Sequence, residues 1–286
     1  MKKFVMIYHI LLSLSFISLN AQPEGHLIII GGGDKPGPVI ERIVELARGP
    51  DAKIIVIPNA SSEPVESAEY QVNQFRSFGS RNVESISFSK ETANDDSVLG
   101  RLNETDGIFF CGGDQSELTA DLLDTRLLER IREIYYKGGV ISGTSAGAAV
   151  MSEVMITGNE LVNKDSSVAF NIIEKGNIQT TKGFGFITKA VIDQHFIKRK
   201  RNNRLISVIL EHPDLLGIGI DESTAIQVNP DDTFEVLGES QIIIYNPLNA
   251  KDIRLNQDGK FSVGNIRMDI LVNGQKFDMN KKQIIK

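Results

Sequence analysis

Three short segments of this 286-residue chain carry residue types that could act together on a carbonyl group. The first is Gly143-Thr144-Ser145-Ala146-Gly147. A G-x-S-x-G run fits a sharp strand-to-helix turn, which lifts a serine hydroxyl above the end of a sheet and requires small neighbours. The helix that follows offers N–H groups and a positive dipole end to a developing oxyanion. An ordinary glycine-rich turn would carry the same residues. The second segment, Gly112-Gly113-Asp114-Gln115, follows an apolar run; adjacent glycines there let backbone N–H groups approach a substrate oxygen, and a plain turn is the alternative. The third, Asp193-Gln194-His195-Phe196, ends another apolar run and leads into Lys198-Arg199-Lys200-Arg201-Asn202-Asn203-Arg204. A histidine at a strand end can reach the same rim as Ser145 and act as a general base. Taken alone, it is an ordinary surface histidine, and the basic run an ordinary solvated face.

For these segments to meet, the elements before them must be parallel strands of one sheet. The apolar runs predict strands at 26–30, 53–58, 83–87, 107–111 and 139–142. Amphipathic stretches between them predict helices at 39–47, 65–78 and within 118–136. This alternation of near-continuous apolar strands with helices implies a parallel sheet covered on both faces. Ligands bind beyond the carboxyl ends of such strands, where all three segments fall. The rhythm breaks over 155–186, which is rich in Asn, Gly, Ser and Thr and reads as a hairpin or loop region beside the site. A strand at 189–193, a basic helix at 198–211 and strands at 215–220 and 224–228 follow. From residue 229 the pattern is all strand, with Asp258-Gly259 as a hairpin signal. The expected fold is α/β, a doubly wound, mostly parallel sheet over 22–228, with a small C-terminal β extension over 229–286 covering a sheet edge.

Composition narrows the function classes. A net charge of −6 gives no basic field for nucleic acid. The four histidines are scattered, so no metal-ligand cluster is expected, and no cofactor is implied. The single cysteine, Cys111, excludes an intramolecular disulfide and reads as a small core residue. Lys2 and Lys3 precede an apolar stretch to Leu19, and Ala21 offers a small exit residue. Residues 1–21 thus read as a secretory signal peptide, with the mature chain beginning near Gln22 and residing outside the cytoplasm, secreted or periplasmic. Tyr8, His9 and several serines make the stretch a poor permanent anchor, so no membrane association is expected after its removal.

Together, Phe109-Phe110-Cys111-Gly112-Gly113-Asp114-Gln115, the run from Gly143 to Met151, and Asp193-Gln194-His195-Phe196 with Arg199, Arg201 and Arg204 resemble the cyanophycinase and peptidase E family of serine peptidases. The match in order and spacing spans about 27–228, and the Asp-Gln-His-Phe element with its arginines resembles the cyanophycinase branch. The resemblance implies a fold similar to class I glutamine amidotransferases and a Ser-His-acid triad. Ser145 would be the nucleophile and His195 the base, with the Gly113 and Ala146 N–H groups as the oxyanion hole. An ungapped match places the acid at Glu160, with Glu174 and Asp165 as competitors. Gln115, Asp193, Gln194, Arg199, Arg201 and Arg204 would line the substrate pocket.

Cyanophycinases hydrolyse cyanophycin, a polyaspartate carrying arginine through isopeptide bonds, to β-Asp-Arg dipeptides. Guanidinium forks suit substrate carboxylates, and Asp193 suits a substrate arginine. The resemblance therefore implies a secreted, exo-acting serine peptidase on a cyanophycin-like polymer, and a homodimer. An aspartyl dipeptidase of the peptidase E type and a non-catalytic binding protein on the same fold are the alternatives. A thiol-dependent glutaminase is disfavoured because serine, not Cys111, occupies the elbow.

Overall fold

The structure is a computed structural model and describes residues 22–162 and 170–286. The expected signal segment and Asp165 lie outside the described residues. Among those described, the central sheet has nine strands, and its parallel half comes from the aliphatic runs. These are β1 (His26–Ile30), β2 (Lys53–Ile57), β3 (Asn82–Ser85), β4 (Gly107–Phe110) and β5 (Val140–Thr144). They lie side by side in the order β1-β5-β4-β2-β3, all parallel. Alternate side chains point to opposite faces, and here both faces are core. Leu27 and Ile29 pack on one side with α4 (Gln115–Leu122), α5 (Arg126–Tyr136) and α6 (Ala146–Ala149). Ile28 and Ile30 pack on the other with α1 (Gly37–Leu46) and α2 (Pro64–Ser77). Burial on both faces is why these strands read as unbroken apolar runs, and each such side chain removed from water contributes roughly 1.5–3 kcal/mol.

Beyond β1 the sheet turns antiparallel through β10 (Thr224–Val228), β11 (Thr233–Gly238), β16 (Lys276–Asp278) and β17 (Gln283–Ile285). A second, four-stranded sheet has the order β15-β12-β9-β8. Its strands are β8 (Ala190–Asp193), β9 (Leu216–Ile220), β12 (Ile242–Asn246) and β15 (Arg267–Leu271). One face of it joins the main core through Ile192, Ile218 and Ile244. The other is capped by α7 (Asn202–Glu211), whose Leu205, Val208 and Ile209 pack with Val191 and Tyr245. Five of the strands after residue 229, β11, β12, β15, β16 and β17, thus enter the two sheets by hydrogen bonding. Two hairpins complete the set: β6 (Val154–Glu160) with β7 (Ile178–Lys182), within the stretch expected to be a hairpin or loop region, and β13 (Lys251–Leu255) with β14 (Phe261–Gly264).

Two helices differ from expectation. The helical pattern over 118–136 is broken between Leu122 and Arg126, where Asp124 takes a positive φ and Thr125 caps the second helix by accepting from the Leu128 N–H at 3.3 Å. The basic helix begins at Asn202 rather than near 198. The Asp221 carboxylate claims the Ile197 and Lys198 N–H groups instead, at 3.1 and 2.9 Å. A short helix, α3 (Asp96–Arg101), was not expected. Among the described residues no helix is long and apolar enough to cross a membrane.

Candidate active site

Ser145 sits between β5 and α6 with φ 54° and ψ −108°, a conformation that costs a non-glycine residue on the order of 1–3 kcal/mol. The surroundings enforce it. The Ser145 N–H donates to the Ile30 carbonyl at 3.1 Å, and the Ala148 and Ala149 N–H groups both donate to the Ser145 carbonyl at 3.0 Å. Close packing explains the small residues around it: a methyl group on Gly147 would lie 2.4 Å from the Phe110 carbonyl oxygen.

The run Gly31-Gly32-Gly33 after β1 forms the floor on which the other groups rest. The His195 N–H donates to the Gly31 carbonyl at 2.7 Å, and the Ser223 N–H to the Gly32 carbonyl at 3.0 Å. Gly32 has φ +101°, and a methyl group there would lie 2.3 Å from His195 Cε1; one on Gly33 would meet Glu222 Cβ at 2.8 Å. Only glycine lets the imidazole and the Glu222 side chain close over this loop.

On that floor the His195 ring links two partners. Its Nε2 lies 2.9 Å from Ser145 Oγ, and its Nδ1 lies 2.6 Å from Glu222 Oε1. With Nδ1–H donated to the carboxylate, Nε2 is left to accept the serine proton. Burial holds the imidazole below its ordinary pKa; the Glu222 hydrogen bond opposes this, and the charges of Arg199 and Arg201 add to it. The ring is therefore neutral, in the base form, at neutral pH.

The expected acid is elsewhere. Glu160 ends β6 and accepts from Asn177 Nδ2 at 2.8 Å. Glu174 is buried, with its backbone N–H donating to Ser207 Oγ at 3.2 Å. The carboxylate on His195 is Glu222, in the turn between β9 and β10. Counting forward from Ser145 does not reach this carboxylate, because the turn that carries it comes far along the chain, after β9. The overlooked signal was Asp221-Glu222 ending the apolar run Leu216–Ile220, at the same carboxyl rim as the other groups.

Gly112 lies beside the serine, where a methyl group on it would sit 3.8 Å from Ser145 Oγ, and Gly113 follows with φ +141° against the Ala60 carbonyl. The flanking Cys111 and Asp114 N–H groups donate to the Ile57 and Ala60 carbonyls. Ala146 opens α6, so its N–H has no intrahelical acceptor.

The six expected pocket residues divide. Asp193 and Arg204 are each 1% exposed and pair with one another through two contacts, Nε to Oδ2 at 2.7 Å and Nη2 to Oδ1. The Phe170 ring covers the guanidinium, with its centroid 5.0 Å away. Neither group is open to a substrate, because burial is tolerable only with each charge spent on the other. Arg201 Nη1 donates to the Gln194 carbonyl and Oε1 at 2.8 and 2.9 Å, and burial among like charges pushes its pKa down to about 10. Gln115 Nε2 donates to the Ile156 and Thr157 carbonyls at 2.9 and 2.6 Å, which ties β6 to the rim. Arg199 alone of the six is exposed, and its charge is felt at His195.

A hydroxyl, a neutral imidazole and a carboxylate in hydrogen-bonded series can generate an alkoxide for attack on a carbonyl, and that is the chemistry of a serine hydrolase. Comparison narrows the class: the model of peptidase family S51 matches residues 27–236. The chain belongs to that family of serine-type peptidases. It is 34% identical to a cyanophycinase of Synechococcus elongatus over 91% of this chain and 81% of the relative. It is 32% identical to a cyanophycinase of Trichormus variabilis, covering 96% and 91%. Among solved structures, a peptidase from an acI-B1 actinobacterium superposes with a TM-score of 0.64 at 22% identity, over 90% of this chain and 98% of that one. A putative peptidase E protein from Listeria monocytogenes EGD-e does so with a TM-score of 0.50 at 17% identity, over 76% and 99%. These two likenesses concern the fold.

Proposed function

We propose that this peptidase hydrolyses cyanophycin from a chain end, releasing β-Asp-Arg dipeptides. The observation that carries the reading is the hydrogen-bonded series Ser145–His195–Glu222 in a chain at least 31% identical to proteins named cyanophycinase over nine-tenths of its length. Ser145 Oγ attacks the scissile carbonyl as its proton passes to His195 Nε2. The imidazolium is stabilised by Glu222, and the oxyanion is received by the Gly113 and Ala146 N–H groups. The imidazolium then protonates the leaving amine. Water, deprotonated by the same nitrogen, cleaves the acyl-enzyme and restores Ser145. In this reading residues 1–21 direct export and are removed before Gln22, so a polymer too large to import is cut outside the cytoplasm, and the working unit is a homodimer.

The test is to incubate the purified protein with cyanophycin and, separately, with a panel of Asp-X dipeptides, following products by mass spectrometry. β-Asp-Arg release from the polymer is expected; turnover of the dipeptides alone would reassign the chain to aspartyl dipeptide hydrolysis. N-terminal sequencing of protein recovered outside the cytoplasm is expected to begin at Gln22.

A further inference from the structure

Glu222 depends on its surroundings to stay on the His195 ring. Its side chain is 28% exposed, and among the described residues no hydrogen-bond donor other than His195 Nδ1 reaches its carboxylate. Where that carboxylate points is therefore set by the backbone beneath it. The two turns that carry the pair are both strained. His195 has φ 48°, and Ser223, next to Glu222, has φ 54°. Such conformations persist in a non-glycine residue only where neighbouring contacts impose them.

The Asp221 side chain supplies contacts of that kind to both turns at once. It is 8% exposed and immediately precedes Glu222. Its Oδ1 accepts from the Ile197 and Lys198 N–H groups at 3.1 and 2.9 Å, two and three residues past His195. The main chains of the two turns also meet nearby, where the Phe196 N–H donates to the Ile220 carbonyl at 3.2 Å. Asp221 Oδ2 accepts from Ser240 Oγ at 2.7 Å, in the turn between β11 and β12. Three donors on one carboxylate make its burial tolerable.

The turn that carries Ser240 also grips the backbone around Glu222. The Ser240 N–H donates to Thr224 Oγ1 at 2.8 Å, and that hydroxyl donates to the Glu222 carbonyl at 3.1 Å. The Glu239 N–H donates to the Ser223 carbonyl at 2.9 Å, and the Asp221 N–H to the Gln241 carbonyl at 3.3 Å. Gly238 permits the approach: it has φ +109°, and a methyl group there would lie 2.3 Å from the Ser223 carbonyl oxygen.

We propose that Asp221, held by Ser240, is a positioning residue for the triad, fixing Glu222 opposite His195 Nδ1. It acts through that pair and does not touch substrate. The assignment rests on the Ser145–His195–Glu222 reading. Without the bridge the two turns can part, the Glu222 carboxylate turns toward solvent, and the imidazolium forms without its counter-charge.

The test follows labelling of Ser145 by a fluorophosphonate in the full chain, a reaction that needs no assigned substrate. Asp221→Ala should label about 10²-fold more slowly than the parent, the loss expected when reacting groups shift by about 1 Å. Asp221→Asn keeps an acceptor for the two N–H groups and a donor for Ser240 Oγ, so it should restore the rate to within about threefold. In a Glu222→Gln background Asp221→Ala should cost less than about threefold more, because both changes remove the same contact. A residue that only stabilises the fold would multiply its loss with that of Glu222→Gln. Should Asp221→Ala fail to fold by circular dichroism, Ser240→Ala takes its place. It removes one hydrogen bond of the bridge and should slow labelling about fivefold, again with no further loss in Glu222→Gln. Parental labelling in folded Asp221→Ala, or in Ser240→Ala where it stands in, would overturn the positioning role and leave the triad standing. So would losses that multiply, or Asp221→Asn as slow as Asp221→Ala. No labelling of Ser145 in the parent would overturn the triad and the positioning role with it.

Discussion

Replacing Glu222 with Gln tests the identity of the triad acid and has a magnitude that can be worked from the geometry. The carboxylate oxygen lies 2.6 Å from His195 Nδ1, which puts the charge centres of carboxylate and imidazolium about 4 Å apart. At an effective dielectric of ~20 that separation corresponds to about 4 kcal/mol. The Glu222 side chain is 28% exposed, so solvent screening lowers the figure to roughly 2–4 kcal/mol. Gln keeps the shape and can still accept from Nδ1–H, so the loss is that of the charge, felt when the imidazolium forms. Peptidase kcat/KM should then fall by about 30- to 10³-fold. The pH profile should move as well. Glu222 raises the His195 pKa; without it the pKa falls further, and the acid limb of kcat/KM, where His195 becomes protonated, shifts to lower pH. Glu160→Gln should leave both rate and profile within twofold of the parent. A large loss in Glu160→Gln with little change in Glu222→Gln would refute the reasoning.

Three further outcomes follow. Arg199→Gln removes a charge that lowers the His195 pKa, so the acid limb of the kcat/KM profile should shift to higher pH. Arg204→Met leaves the Asp193 carboxylate buried without its partner and should reduce stability by about 3–5 kcal/mol in urea unfolding, whereas the pair Asp193→Leu with Arg204→Met should recover most of it. Gly32→Ala places a methyl group 2.3 Å from the His195 ring; displacing the base by about 1 Å should lower kcat on the order of 10²-fold, with circular dichroism unchanged.

The parts of the site that depend on short-range chemistry were legible in the chain. Ser145 announces itself because the turn that strains it tolerates only small neighbours, and His195 because it ends an apolar strand at the rim where ligands bind. The strands of the parallel sheet were legible because burial on both faces leaves long aliphatic runs such as Leu27–Ile30. What escaped is set by tertiary contacts. Glu222 reaches the ring only because β8 and β9 lie side by side in the second sheet, a pairing that the spacing from Ser145 does not encode. The arginine run reads alike at every position, yet folding turns Arg204 inward onto Asp193 and leaves Arg199 at the surface, which removes two of the expected pocket residues. The glycines at 31–33 read as a turn; their function appears only when His195 and Glu222 are seen lying on them.

The most direct test of the central claim, that Ser145 is a nucleophile activated by His195 and Glu222, is peptide mapping by mass spectrometry after exposure to a fluorophosphonate. A single adduct on Ser145 is predicted, formed at least ~30-fold more slowly in His195→Ala and Glu222→Gln. No adduct on Ser145, or equal labelling in all three proteins, would contradict the account.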